Sequence, residues 1–293
     1  MKNISGLLIG FLFFGLISCA DTEPNWKYLF NGEDLTGFNQ KGGEAVYEVR
    51  DSAIVGISVY GTPNSFLCTN ETYSDFILEL EYKLGSPANC GIQIRSNSNP
   101  DYQDGRVHGY QVEIDASERA FSSGIYDEGR RGWLYPLNEL GNMEAKSAYK
   151  QGEWNKVRIE AIGNHIQTWL NGVPVANLVD DMTAEGFIGL QVHAIKDSLD
   201  AGKRVMYKNI RILTEELEKY QMETTAPEIS YLTNELTESE KQSGWKLLFD
   251  GETSNGWRNA YAEAFPESGW KIEDGIITVL ASDGTESQNG GDI

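Results

Sequence analysis

The chain reads as an all-β protein: a sandwich or jelly roll, then a linker and the truncated start of a second, similar domain. Three observations carry this. Between Trp26 and Leu213 the sequence is short alternating apolar runs broken by Gly, Asn and Asp, as in Phe76–Tyr82, Gly91–Arg95, Tyr110–Asp115 and Val157–Ala161. No long helical periodicity intervenes. The entry motif also occurs twice in fixed register. Trp26-Lys27-Tyr28-Leu29-Phe30-Asn31-Gly32-Glu33 returns as Trp245-Lys246-Leu247-Leu248-Phe249-Asp250-Gly251-Glu252, and Tyr47–Asp51 is echoed by Trp270–Asp274. Self-similarity of this kind decides architecture before any finer reading.

Taken in order, residues 1–18 look like a signal segment. Lys2 supplies the positive end, and the apolar run from Ile4 to Ile17 is shorter than the ~20 residues a spanning helix needs. Leu16-Ile17-Ser18-Cys19 resembles a bacterial lipobox, so Cys19 is the expected lipidation site and 19–25 a tether. The protein is then expected in the cell envelope, held at the outer membrane or in the periplasm through lipid only. Residues 26–213 form the first domain. Within it, Gly163-Asn164 and Asn171-Gly172 are hairpin turns, because such pairs supply the positive φ angles of a two-residue turn. Residues 214–243 carry eight Glu against Lys219 and Lys241 and read as an acidic linker. In it, Thr237-Glu-Ser-Glu240 is a capping box opening a short helix. Residues 244–293 repeat only the opening of the domain, ending Gly290-Gly291-Asp292-Ile293.

A net charge of −20 argues against nucleic acid and anionic lipid as partners. Besides Cys19, only Cys68 and Cys90 are present. Both lie in apolar strand patterns and are expected as buried thiols, although export would permit a disulfide.

Alternate strand residues share a face. Cys90, Ile92 and Ile94 therefore oppose Gly91, Gln93 and Arg95. Tyr110, Val112 and Ile114 oppose Gln111, Glu113 and Asp115; Leu190 and Val192 oppose Gln191 and His193. A merely wet face usually carries Lys, Thr and Ser. This one carries amides, carboxylates, an Arg and one of three His, with no Lys on those runs. Amides and carboxylates pair with sugar hydroxyls, and His moves protons near neutral pH. The Gly-rich run 122–135 adds Tyr126, Glu128, Arg130, Arg131 and Trp133, with rings that stack on sugars. Gln93, Gln111, Glu128, Arg130, Arg131, Trp133 and Gln191 are thus candidate substrate-binding residues.

The motifs Leu29–Gly32, Asn89–Arg95, Gly109–Asp115, Gly124–Glu128, Gly152–Asn155 and Trp169–Gly172, in this order, resemble the 3-keto-disaccharide hydrolase domain family (DUF1080) over nearly all of Trp26 to Leu213. Cys90 stands where Ser is more usual, and Phe38 where Trp is. The resemblance implies a concanavalin A-like jelly roll acting on glycosides oxidised at C3. A C3 ketone acidifies the C2 hydrogen, so a base removes it, the C1 substituent leaves by elimination, and water adds back. Base and acid are sought among His193, Glu113 and Asp115, and oxyanion stabilisation from Arg95 or Tyr126. Two other readings stand beside this one. Glu113-Ile-Asp115-Ala-Ser-Glu118 loosely resembles the paired-carboxylate strand of retaining endoglucanases, and the same face would serve a non-catalytic sugar-binding module. No cofactor is specified. Sandwiches of this kind can hold Ca2+, but no Asp cluster here has ligand-loop spacing.

Overall fold

Alternation becomes two stacked sheets in the computed structural model, which describes residues 23–140, 143–281 and 292–293. The expected signal segment with Cys19, and Gly290 and Gly291, lie outside the described residues. Among the described residues, no helix is long and apolar enough to cross a membrane. The larger sheet has nine strands. Its spatial order is β16 (Glu228–Ser230), β13 (Val173–Val179), β12 (His165–Leu170), β11 (Asn155–Ile162), β6 (Phe76–Leu84), β15 (Arg204–Leu213), β4 (Ala53–Ile57) and β3 (Val46–Arg50), with β1 (Lys27–Tyr28) also on β15. The second sheet runs β10 (Gly132–Tyr135), β9 (Ile125–Glu128), β8 (His108–Asp115), β7 (Asn89–Asn97), β14 (Phe187–Val192), β5 (Ser65–Thr69) and β2 (Phe38–Gly42). Neighbours far apart in sequence, such as β7 with β14, are the crossovers of a jelly roll.

The core is the inner half of each alternation. On β6, Phe76, Leu78, Leu80, Tyr82 and Leu84 meet Cys90, Ile92 and Ile94 of β7 and Tyr110, Val112 and Ile114 of β8 in one buried cluster. Each fully buried aliphatic side chain here contributes about 1.5–3 kcal/mol as an upper estimate. Tyrosines tie the layers together. Tyr47 of β3 donates to the Leu190 carbonyl at 2.9 Å and Tyr207 of β15 to that of Gln191 at 3.0 Å. Cys68 and Cys90 are both buried and unpaired. The turn at Asn171-Gly172 has φ of 52° and 85°, as a two-residue hairpin between β12 and β13 requires.

The acidic stretch after Leu213 packs back onto the domain. Leu217 buries against Ile77 and Leu213, and β16 adds to the sheet edge, parallel to β13. Tyr135 donates to the Pro227 carbonyl at 2.7 Å. The capping box closes as drawn from sequence, Thr237 and Glu240 each accepting the other's backbone N–H at the start of the helix Glu238–Gln242. The repeat is also visible in the backbone. Asn31 and Asp250 each accept two downstream N–H groups beside a glycine at φ 83° (Gly32, Gly251). The hairpin β17 (Trp270–Glu273) and β18 (Ile276–Val279) matches β3–β4, but the two strands pair only with each other. Two of its apolar residues stand largely uncovered, Ile276 59% and Val279 51% exposed.

Candidate functional site

The outer face of the seven-stranded sheet carries the polar alternates of β7, β8 and β14. Glycine decides how they pack. A Cβ on Gly91 would sit 2.4 Å from the Gln111 side chain, so only glycine lets that amide lie across the neighbouring strand. Gln111 is the hub. Its Oε1 accepts from Gln93 and Gln191, each at 2.8 Å, and its Nε2 donates to Glu113 Oε2 at 2.9 Å. Ser96 donates to Gln93 Oε1 at 2.9 Å, which sets the orientation of the whole ladder. All three glutamines are buried, so this is a preorganised polar layer and not a solvated surface. The Gln191 Oε1 atom remains without a partner.

The ladder ends on Glu113, which is 3% exposed. Asn89 donates to its Oε1, and Arg119 Nη2 stands 3.7 Å from that oxygen. Burial outweighs these stabilising partners and pushes the Glu113 carboxyl up to about 7. Asp115, two residues on, behaves oppositely. Burial raises it, but the Ser117 N–H and Arg119 Nε, the latter 2.8 Å from Oδ2, together hold it below the usual carboxylate range. One carboxyl is therefore poised to exchange protons near neutrality while its neighbour stays charged.

Glu113 opens into a cleft of about 360 Å3 lined by Asn64, Asn89, Arg106, Gln111, Arg119, Tyr126, Glu128, Trp133 and His193. Tyr126 and Trp133 meet edge-on at 5.2 Å, and the Arg119 guanidinium lies 5.0 Å over the Trp133 ring. Burial, with the Glu128 and Glu113 carboxylates, raises the Tyr126 phenol. His193 is exposed at the rim. Its Nδ1 is 2.6 Å from the Ala194 carbonyl, to which a protonated Nδ1 donates, and Nε2 is the ring nitrogen outside that bond.

Of the residues singled out from sequence, Gln111, Glu113, Tyr126, Glu128, Trp133 and His193 line the cleft. Gln93 and Gln191 lie beneath, and Asp115 lies beside it, engaged with Arg119. Three arginines and a glutamate do not belong. β7 changes register between Ile94 and Asn97, and Arg95 takes φ 43°. Its side chain, 1% exposed, donates to the Ser74 and Gly163 carbonyls and pairs with Asp75, away from the cleft. Arg130 and Arg131 both pair with Asp127, and Arg131 also with Asp180, in a separate cluster. Parity explains this: Asp127 opposes the core residue Tyr110, while Tyr126 opposes Gln111. β8 ends at Asp115, which leaves Glu118 exposed in a turn.

Asn64, Asn89, Arg106 and Arg119 escaped the sequence reading. Asn89 was within reach, since β7 begins there and pairs it opposite Asp115. Arg119 reaches the cleft only because the loop after β8 folds back, for which the sequence carries no periodic signal. Among the described residues, no group of three or more His, Cys, Asp or Glu is arranged to hold a metal ion.

Residues 25–213 match the family model described as 3-keto-alpha-glucoside-1,2-lyase-like domain, and the chain belongs to this carbohydrate-active family. No curated protein matches it. Among solved structures it is similar to a protein assigned as a glycosyl hydrolase from Parabacteroides distasonis ATCC 8503. Identity there is 19%, coverage 65% of this chain and 94% of that one, and the TM-score 0.46. It is also similar to the carbohydrate-binding module CBM66 of Bacillus subtilis, at 17% identity over 61% and 96% of the two chains, TM-score 0.43.

Proposed function

We propose that the cleft cleaves 3-keto-glycosides by elimination and hydration, with Glu113 as the base. The observation that carries this is a buried carboxyl near 7, held by Gln111 and Asn89 at the foot of a polar cleft. Such a group accepts and returns a proton at working pH. Glu113 takes the hydrogen from C2, and the electron pair moves onto the C3 oxygen as an enolate opposite the Arg119 cation. Collapse of the enolate forms the C1–C2 double bond and breaks the bond from C1 to the leaving oxygen. His193, entering the cycle protonated on both ring nitrogens, gives its Nε2 proton to that oxygen. Water then adds its oxygen to C1 and gives a proton to His193, while Glu113 returns its proton to C2. The products are the free 3-keto sugar and the alcohol.

The endoglucanase reading needs a third carboxylate on the strand, but Glu118 lies beyond its end. A binding-only module needs an open aromatic face; that of Trp133 lies under Arg119. The test is solvent deuterium exchange at C2 of a 3-keto-glucoside, followed by NMR. Wild type should exchange C2–H and Glu113→Gln should not. Equal exchange in both would remove Glu113 as base.

A further inference from the structure

A second cavity, of about 210 Å3, lies on the other side of the wall made by Asn89 and His193, which line both spaces. Its character differs from that of the sugar cleft. Ala88, Cys90, Val192, Ile195 and Val205 make an apolar body, with no amide ladder to meet hydroxyl groups. It is smaller than the ~300–1,000 Å3 of drug-sized sites, which suits a single ring. Lys196, Lys203, Arg204 and the Asp200 carboxylate also line it. Lys203 is paired with Asp200 at 2.8 Å, whereas the Lys196 and Arg204 side chains have no partner among the described residues. In a chain of net charge −20, cations have an abundance of carboxylates to pair with. Two exposed cations without a partner beside one apolar cavity are placed to meet an anion that arrives with the ligand.

We propose that this cavity is the aglycone subsite and that it selects glycosides whose leaving group is a single apolar ring bearing an anionic substituent, such as a carboxylate. The proposal rests on the lyase reading, in which His193 protonates the leaving oxygen. A cavity across His193 from the sugar cleft is where the departing group then lies. The ring fills the apolar body, and the anion reaches Lys196 and Arg204 at the mouth.

The test compares 4-carboxyphenyl and 4-(hydroxymethyl)phenyl 3-keto-glucosides as substrates of the full chain and of the double variant Lys196→Ala/Arg204→Ala. Wild type should prefer the carboxylate by about two- to fivefold in kcat/KM, the scale an exposed ion pair supplies. The preference should shrink with added salt and approach unity in the double variant. No preference in wild type, or the same preference in the variant, would overturn the proposal. Calorimetry with 4-hydroxybenzoate and 4-hydroxybenzyl alcohol reads the subsite without turnover. If neither glucoside reacts, the lyase reading fails. The subsite then stands on 4-hydroxybenzoate binding tighter than the alcohol in wild type alone, and falls if the two bind equally or not at all.

Discussion

Glu113 is the residue on which the chemistry turns, and its environment makes a two-sided pH prediction. As a base it works deprotonated, so the acidic limb of the kcat/KM profile should rise with pH through an apparent pKa near 7. Stability should move the other way. A carboxyl raised from 4.5 to about 7 on folding binds its proton more tightly in the native state. Its contribution is full below the unfolded value and is lost as pH rises through the folded one. Unfolding free energy should thus decline between about pH 4.5 and 7 in wild type, and Glu113→Gln, followed by urea melts, should flatten that decline. The same variant should lose at least ~100-fold in turnover with Tm lowered by no more than ~4 °C. Identical pH slopes in both proteins would show that Glu113 titrates normally.

At the scale of elements, strand parity made most of the site legible. The alternation on β8 and β14 separates Tyr110, Val112 and Ile114 from Gln111 and Glu113, and Leu190 and Val192 from Gln191 and His193, as the structure does. Parity fails where a strand bulges. Arg95 reads as a face partner of Gln93, but the register shift in β7 and its left-handed φ turn it away, and neither leaves a mark in the sequence. Arg95→Leu should therefore cost stability, about 1–3 kcal/mol for the lost charge-assisted hydrogen bonds to the Ser74 and Gly163 carbonyls and Asp75, and leave substrate binding unchanged. Gly91→Ala makes the opposite prediction. A methyl 2.4 Å from the Gln111 amide must displace the hub of the ladder. A shift near 1 Å should reduce kcat/KM by up to ~100-fold while the circular dichroism stays native. Wild-type kcat/KM in that variant would show that the ladder does not position Glu113.

On the scale of the whole molecule, composition separated the domain from the acidic stretch but concealed how much of that stretch belongs to the sheet. Eight glutamates read as solvated chain, yet Glu160 accepts the Met222 N–H and β16 extends β13. A variant ending at Thr214 should accordingly melt lower than one ending at Gly244; equal Tm values would mean the added strand contributes nothing. The second copy of the entry motif forms its turn and hairpin but leaves apolar residues uncovered, because the partner strands that bury the first copy have no counterpart among the described residues. The account as a whole holds that this fold presents a base to a sugar already oxidised at C3. The most direct measurement is incubation of the protein with a 3-keto-glucoside and with its parent glucoside, following release of the alcohol. Release from the 3-keto-glucoside alone, lost in Glu113→Gln, is the predicted result. Equal release from the parent glucoside, or none from either, would contradict the account.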